Sequence, residues 1–360
     1  MELDHIVAIA EFEPLARQAM APAAYDYIAG GSWDELTLAD NDVAWARHRL
    51  RPRVLVDVSE VDPATRLLGH AAAFPVATAP MAVHGLAHPD AEIGTARGAA
   101  TAGVPFTMST MSSCSIEEVA AAVPDATRWF QLYTQADRGQ TRELVQRAAA
   151  AGYGALLVTV DLPILGYRER DRRHGFELPT LGNFATADPP THRDVVAEGY
   201  ERLETPAHAS LQWSDLEVIR GWSSMPFVLK GILTAEDARL AVEHGVDAIV
   251  VSNHGARQLD RVAATADVLP EIVAAVDGRC EVLVDGGIRR GLDIAVALAL
   301  GASGVLVGRP LLWALATAGA AGVERALAIL REEFEIAMAL LGVAAVGDLT
   351  RSHVGGPSAT

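Results

Sequence analysis

Glu281-Val282-Leu283-Val284-Asp285-Gly286-Gly287 and Gly304-Val305-Leu306-Val307-Gly308-Arg309-Pro310 are two short apolar, β-branched runs separated by the amphipathic stretch 292–300. A buried strand, a helical pattern and a second buried strand in this order read as a parallel βα unit. Both runs end in glycine and are followed within a few residues by arginine. The same alternation continues upstream, and candidate strands fall at 76–79, 105–108, 129–132, 156–160, 227–229, 248–251, 281–284 and 304–307. Helical patterns such as 142–151 and 235–244 lie between them. Eight strands with helical crossovers predict a closed α/β barrel, the (β/α)8 or TIM barrel. A doubly wound sheet would use fewer strands and carry G-x-G-x-x-G at its first turn, and no such turn follows the first run.

Polar and small residues collect just after the strands. Met81-Ala82, Ser109, Gln131 with Tyr133, Thr159 with Asp161, Lys230, Ser252 to Arg257, Asp285 to Gly287, and Gly308-Arg309 each follow a different run. Barrel enzymes build their sites from the C-terminal ends of the strands, so eight clusters in phase predict one site at one mouth.

The chain of 360 residues carries 29 Lys and Arg against 46 Asp and Glu, a net charge of −17, and half of its residues are apolar. That composition supplies a large core, and its acidity argues against a nucleic-acid partner. Cys114 and Cys280 make no disulfide framework and suit a reducing compartment. The N-terminus lacks a basic segment followed by an apolar stretch, and the last residues form no peroxisomal tripeptide. No uninterrupted apolar window approaches the ~20 residues of a membrane span; 305–323 comes nearest and contains Arg309 and Pro310. A cytoplasmic protein without membrane attachment is expected. One domain spans 1–360, with residues 1–75 as a preface that includes a helical segment at 12–29. Residues 176–212, rich in proline and glycine, predict a long lid loop after strand four.

Ser252-Asn253-His254-Gly255-Ala256-Arg257-Gln258-Leu259-Asp260 admits two readings. His254 as a general base beside Arg257 as a carboxylate fork is one; a polar surface turn is the other. The glycine-arginine pairs after the last two strands match the place where barrels hold phosphate, although glycine also punctuates ordinary turns. Lys230 suits a Schiff-base nucleophile, a charge facing a cofactor, or a core lysine paired with a carboxylate. Asp161 could orient His254 or end a turn, and Arg168 could meet a substrate carboxylate or a surface acid. No His/Cys spacing resembles a zinc site, so no metal is expected.

With Tyr25-Asp26-Tyr27, Ala79-Pro80, Phe130 to Tyr133, Thr159 to Asp161, Asp285 to Gly291, Gly308 to Pro310 and Thr350 to His353, the Ser252–Asp260 segment closely resembles the FMN-dependent 2-hydroxy acid oxidase/dehydrogenase family. The resemblance covers nearly the whole chain. It implies that His254 takes the hydroxyl or α-carbon proton, that Asp161 holds its imidazole, and that Arg257 and Arg168 bind the substrate carboxylate. By the same resemblance Tyr133 and Tyr25 contact the substrate, and Leu165 lines its pocket. FMN would be held by Ala82, Ser109, Gln131, Thr159, Lys230 and Ser252 around the ring, and by Asp285, Gly287, Arg289, Gly308 and Arg309 at the ribityl phosphate.

Met81 and Met111 stand where the glycolate-oxidizing branch has Thr and Trp, which predicts a substrate other than glycolate. Segment 176–212 lacks the apolar or long insertions of the membrane-bound dehydrogenases and monooxygenases, and Ala82 replaces the glycine common in the dehydrogenases. An oxidase that reduces O2 to hydrogen peroxide is expected, with transfer to a quinone or carrier as the alternative and a flavin-free lyase using Lys230 behind it. The resemblance further implies a homotetramer or homo-octamer.

Overall fold

The computed structural model describes residues 3–184 and 209–355. Eight parallel strands, β1 Val76–Thr78, β2 Phe106–Ser109, β3 Arg128–Leu132, β4 Leu156–Thr159, β5 Phe227–Ile232, β6 Ala248–Val251, β7 Glu281–Asp285 and β8 Gly304–Val307, pair in the order β1-β8-β7-β6-β5-β4-β3-β2. The ring closes between its two ends: the Thr78 N–H donates to Pro105 O at 3.0 Å, and the Thr107 N–H donates to Thr78 Oγ1 at 2.8 Å. This is the expected (β/α)8 barrel. Every strand residue except Gly231 and Glu281 is fully buried. Burial from the barrel interior on one side and from helices on the other explains the uninterrupted apolar runs.

Side-chain parity positions the site. Inside the barrel, Trp129, Leu157, Val228, Val250, Leu283 and Leu306 form an apolar plug with Leu67, Leu68 and Ala72. The last three come from the hairpin Thr65–Leu67/His70–Ala72, tied down where the Leu68 N–H donates to Glu281 Oε2 at 3.0 Å. Because successive side chains alternate, two residues further along each strand point into the same interior, at the other mouth. That rule delivers Gln131 above Trp129, Thr159 above Leu157, Lys230 above Val228, Ser252 above Val250, Asp285 above Leu283 and Gly308 above Leu306.

The preface differs from a single helix over 12–29. Two helices form, α1 Phe12–Ala19 and α2 Pro22–Ala29, followed by α3 Leu36–Arg47. Pro22 begins the second helix and holds Ala21 extended at φ −60°, ψ 140°, so the first cannot run on. Pro310 acts alike. Instead of interrupting an apolar stretch it sits in the first turn of Arg309–Leu341, a 33-residue helix kinked at Ala318 and Gly319. By length and hydropathy this helix could cross a membrane, but 61% of its most apolar window is buried, and it packs on Ala91–Thr101, α1 and Gly291–Ala299. The expected lid is described only at its ends, Phe176 to Phe184 and Ala209 to Gln212; residues 185–208 lie outside the described residues.

Candidate active site

His254 follows β6 in a left-handed conformation, φ 59°, as do Gly255 and Ala256, each at φ 60°. Consecutive positive φ values are unfavourable for L-residues, and this kink is held because it turns the imidazole inward. The His254 N–H donates to Ser252 Oγ at 3.1 Å, its Nδ1 lies 2.8 Å from Asp161 Oδ1, and its Nε2 lies 3.2 Å from the Tyr133 hydroxyl. A carboxylate only accepts, so Nδ1 carries the proton and Nε2 presents its lone pair to the pocket. Burial holds the imidazole below its usual pKa, more strongly than Asp161 raises it. Burial pushes Asp161 up, but His254 and Lys230 outweigh it and keep the carboxyl below the usual range. The Tyr133 phenol is raised, chiefly by burial and then by Asp161, and stays a donor.

Gly231 makes this pair possible. It sits in a bulge of β5 at φ 116°, and a Cβ there would meet Asp161 Cβ and Cγ at 2.6 Å. The bulge directly follows Lys230, whose Nζ donates to Ser252 Oγ at 2.9 Å and pairs with Asp285 Oδ2 at 3.2 Å. Burial works against the ammonium, but Asp285 and Asp161 more than offset it and raise its pKa.

Two arginines pin the preface over the mouth. Arg309 donates from Nε to Ile28 O at 2.9 Å and from Nη2 to Gly30 O and Gly255 O, both at 2.8 Å. Arg257 donates from Nη1 to Tyr27 O and Gly30 O and lies over the Tyr27 ring, 4.7 Å from its centroid. Both thus meet the carbonyl end of α2, the negative pole of that helix. Arg168 donates from Nε to Arg257 O at 3.1 Å.

Tyr25 is a correction. Its hydroxyl donates to Glu13 Oε1 at 2.8 Å under Arg17, the two raising and partly restoring a phenol that burial pushes up to about 12. It does not line the pocket; Tyr27 does. Two residues along a helix is a turn of about 200°, so only one of the two tyrosines can face the barrel.

The pocket at this mouth encloses about 1490 Å³ including its opening. One end is apolar, with Met111, Leu162, Leu165, Phe176 and Leu178, next to Tyr133, Arg168, His254 and Arg257; Met81 lies toward the opposite end, its Sδ 3.5 Å from where a Cβ on Gly308 would stand. Phe176 stacks on Tyr27 at 4.3 Å, and neither was expected from sequence. The other end has Gly286, Gly287, Arg289, Gly308 and Arg309. Ala82, Thr159, Lys230 and Asp285 lie between, while Ser109, Gln131 and Ser252 stand just behind them. There Ser109 Oγ donates to Gln131 Oε1 at 3.1 Å, and Gln131 Nε2 donates to Thr159 Oγ1 at 2.9 Å.

A model of the FMN-dependent dehydrogenase family matches residues 16–355. The chain belongs to that family. It is 48% identical over 352 residues to an L-lactate oxidase of Nostoc sp., with 96% of each chain covered. It is 47% identical over 353 residues to a peroxisomal (S)-2-hydroxyacid oxidase of Arabidopsis thaliana, covering 98% of this chain and 97% of that one. A crystal structure of mandelate oxidase superposes with a TM-score of 0.88 at 45% identity, over 97% of this chain and 98% of the other. This member of the FMN-dependent family is an oxidoreductase with FMN as its cofactor.

The pocket fits that group. Burial and the nearby Arg257 and Arg289 push Arg309 down to about 9, the mark of a cationic cluster built for an anion. Arg309 also opens the 33-residue helix, and a helix N-terminus favours phosphate. Gly287, at φ 77°, lies so close to α3 that a Cβ would sit 1.9 Å from Asn41 O. Asp285 Oδ1 is buried without a hydrogen-bond partner and can accept from a ribityl hydroxyl. Asp285 thus leaves the phosphate set: its carboxylate faces Lys230, and a phosphate would be repelled by it.

Proposed function

We propose that this FMN-dependent 2-hydroxy-acid oxidase acts on (S)-2-hydroxy acids whose side chain is larger than hydrogen, giving the 2-oxo acid, with O2 reduced to hydrogen peroxide. The apolar end of the pocket, walled by Met111, Leu162, Leu165 and Phe176 next to His254, carries this reading. Bound FMN supplies a two-electron acceptor for the acid and a donor for O2. Arg257 and Arg168 bind the substrate carboxylate, with Tyr27 beside them, and Tyr133 donates to the substrate oxygen. Nε2 of His254 takes the substrate proton, and Asp161 stabilises the imidazolium that results. Lys230 would hold a positive charge against the flavin ring, and Ala82 would leave space for O2. The free thiols of Cys114 and Cys280 fit a cytoplasmic setting. Assembly as a homotetramer or homo-octamer belongs to the same reading, and the exposed side chains of Val54, Leu55 and Val56 support it.

The test is a series of kcat/KM values for peroxide formation at one O2 concentration. Each buried methylene contributes about 0.8 kcal/mol, or roughly fourfold, so the value should rise from glycolate to (S)-lactate and on to longer or aromatic acids. The (R) enantiomers should be inert, and Met111→Trp should shift preference back toward glycolate. A parent that prefers glycolate would overturn the substrate class. Reduced enzyme that persists in air until a quinone or dye is added would make the acceptor a carrier instead of O2. Arg257→Lys keeps the charge but loses the planar fork, and should raise KM about tenfold or more with a smaller change in kcat. An unchanged KM, or equal turnover of a 2-hydroxy ester, would remove Arg257 from carboxylate binding.

A further inference from the structure

Glu92 is fully buried, in the first turn of Ala91–Thr101, the helix that follows β1. Its partners are main-chain groups of two different loops. Oε1 accepts from the His84 N–H and the Ser113 N–H, both at 2.9 Å, and Oε2 accepts from the Cys114 N–H at 3.0 Å. His84 lies three residues after Met81, and Ser113 two residues after Met111. The same two loops are joined twice more: the Val83 N–H donates to Met111 O at 2.9 Å, and the Gly85 N–H donates to Ser113 Oγ at 3.0 Å. A Cβ on Gly85 would lie 2.9 Å from that hydroxyl oxygen, so the contact is as close as the backbones allow. Val83, a β-branched residue, is held at φ 46°, a conformation that persists only where its surroundings impose it.

We propose that Glu92 is a specificity-positioning residue: its carboxylate clamps the loops after β1 and β2 together and so fixes the position of Met111, the wall of the substrate's side-chain pocket, against the loop that carries Met81 and Ala82. A carboxylate suits this place because it only accepts, and all three groups pointing at it donate. The helix N-terminus on which it stands favours the charge. The inference rests on the reading of Met111 as a wall of the substrate pocket.

Glu92→Gln is nearly isosteric but turns one acceptor into a donor, which must then face either the Cys114 N–H or the pair from His84 and Ser113. The loops should part and the side-chain wall should loosen. The experiment compares kcat/KM for (S)-mandelate and (S)-lactate in parent, Glu92→Gln and Met111→Ala, with bound FMN measured by absorbance. The ratio of the two values should fall about tenfold in Glu92→Gln, corresponding to ~1.4 kcal/mol, while FMN is retained and kcat for lactate stays within about threefold. Dissociation constants of phenylglyoxylate and pyruvate, read from flavin absorbance without turnover, should lose discrimination in parallel. Equal losses for both acids would make Glu92 merely structural and overturn the proposal. A ratio moved by Met111→Ala but not by Glu92→Gln overturns this inference alone. A ratio unmoved by Met111→Ala removes the pocket reading, and this inference with it. If Glu92→Gln does not fold, Glu92→Asp keeps the charge but withdraws the carboxylate by one methylene from the three N–H groups, and an unchanged ratio there overturns the proposal equally.

Discussion

Replacing His254 by Gln is expected to lower kcat/KM for every 2-hydroxy acid by about 10²–10⁴-fold while FMN stays bound. The substitution deletes the Nε2 lone pair that faces the Tyr133 hydroxyl, but the groups suited to the phosphate, Arg289, Arg309 and the Gly287 backbone, belong to other loops. The parent's pH profile follows from the same environment. Burial lowers the pKa of His254, so the neutral base is present at and above the ordinary imidazole value of about 6.5 and is lost only as the pH falls through the lowered one. The acid limb of kcat/KM should therefore lie below pH ~6.5. An acid limb above that value, or a Gln variant that oxidises substrate at the parental rate, would remove His254 from the role of base.

The barrel was legible because fully buried parallel strands leave unbroken apolar runs, and because strand parity carries a side chain's position up to the mouth. Lys230, Ser252 and Asp285 needed no more than that alternation to be placed together. Tyr25 and Tyr27 show where such reading stops. Both lie in one short helix, and which of them faces the barrel depends on how α2 is docked by Arg257 and Arg309, a tertiary contact that leaves no periodic trace. The break at Pro22 was local and could have been read from the proline alone. Gly231 was visible as a residue but not as a bulge, since its purpose is the approach of Asp161 from the neighbouring strand. Glu92 carried no signal at all. A glutamate in a helical pattern reads as a solvated face, and only the fold reveals three N–H groups converging on it.

These placements also explain why the preface is part of the site. The carbonyl end of α2 accepts from Arg257 on one side and Arg309 on the other, so one helix terminus links the substrate end of the pocket to its phosphate end. Tyr27 leaves that helix to stack on Phe176 at the start of the long loop. Without residues 1–75 the barrel would lose Tyr27, the carbonyls that orient both arginines and the hairpin that plugs its interior.

Asp161→Asn should reduce kcat/KM by about 10²–10⁴-fold, nearly as much as loss of the base itself. Its Oδ1 fixes the proton on Nδ1 of His254, while its buried Oδ2 has no hydrogen-bond partner and feels the Lys230 charge. In the amide, Lys230 draws the carbonyl oxygen toward itself, which turns the NH2 group to Nδ1. The imidazole must then carry its proton on Nε2, and the lone pair leaves the pocket. Removal of the carboxylate also deletes the charge that raises the His254 pKa, so the acid limb of the residual activity should move to lower pH than in the parent. A shift to higher pH would show that Asp161 does not act electrostatically on the base. Because both residues serve one proton transfer, the double variant with His254→Gln should be little worse than His254→Gln alone. Losses that multiply instead would mean that Asp161 contributes separately from His254, through Lys230 or the substrate.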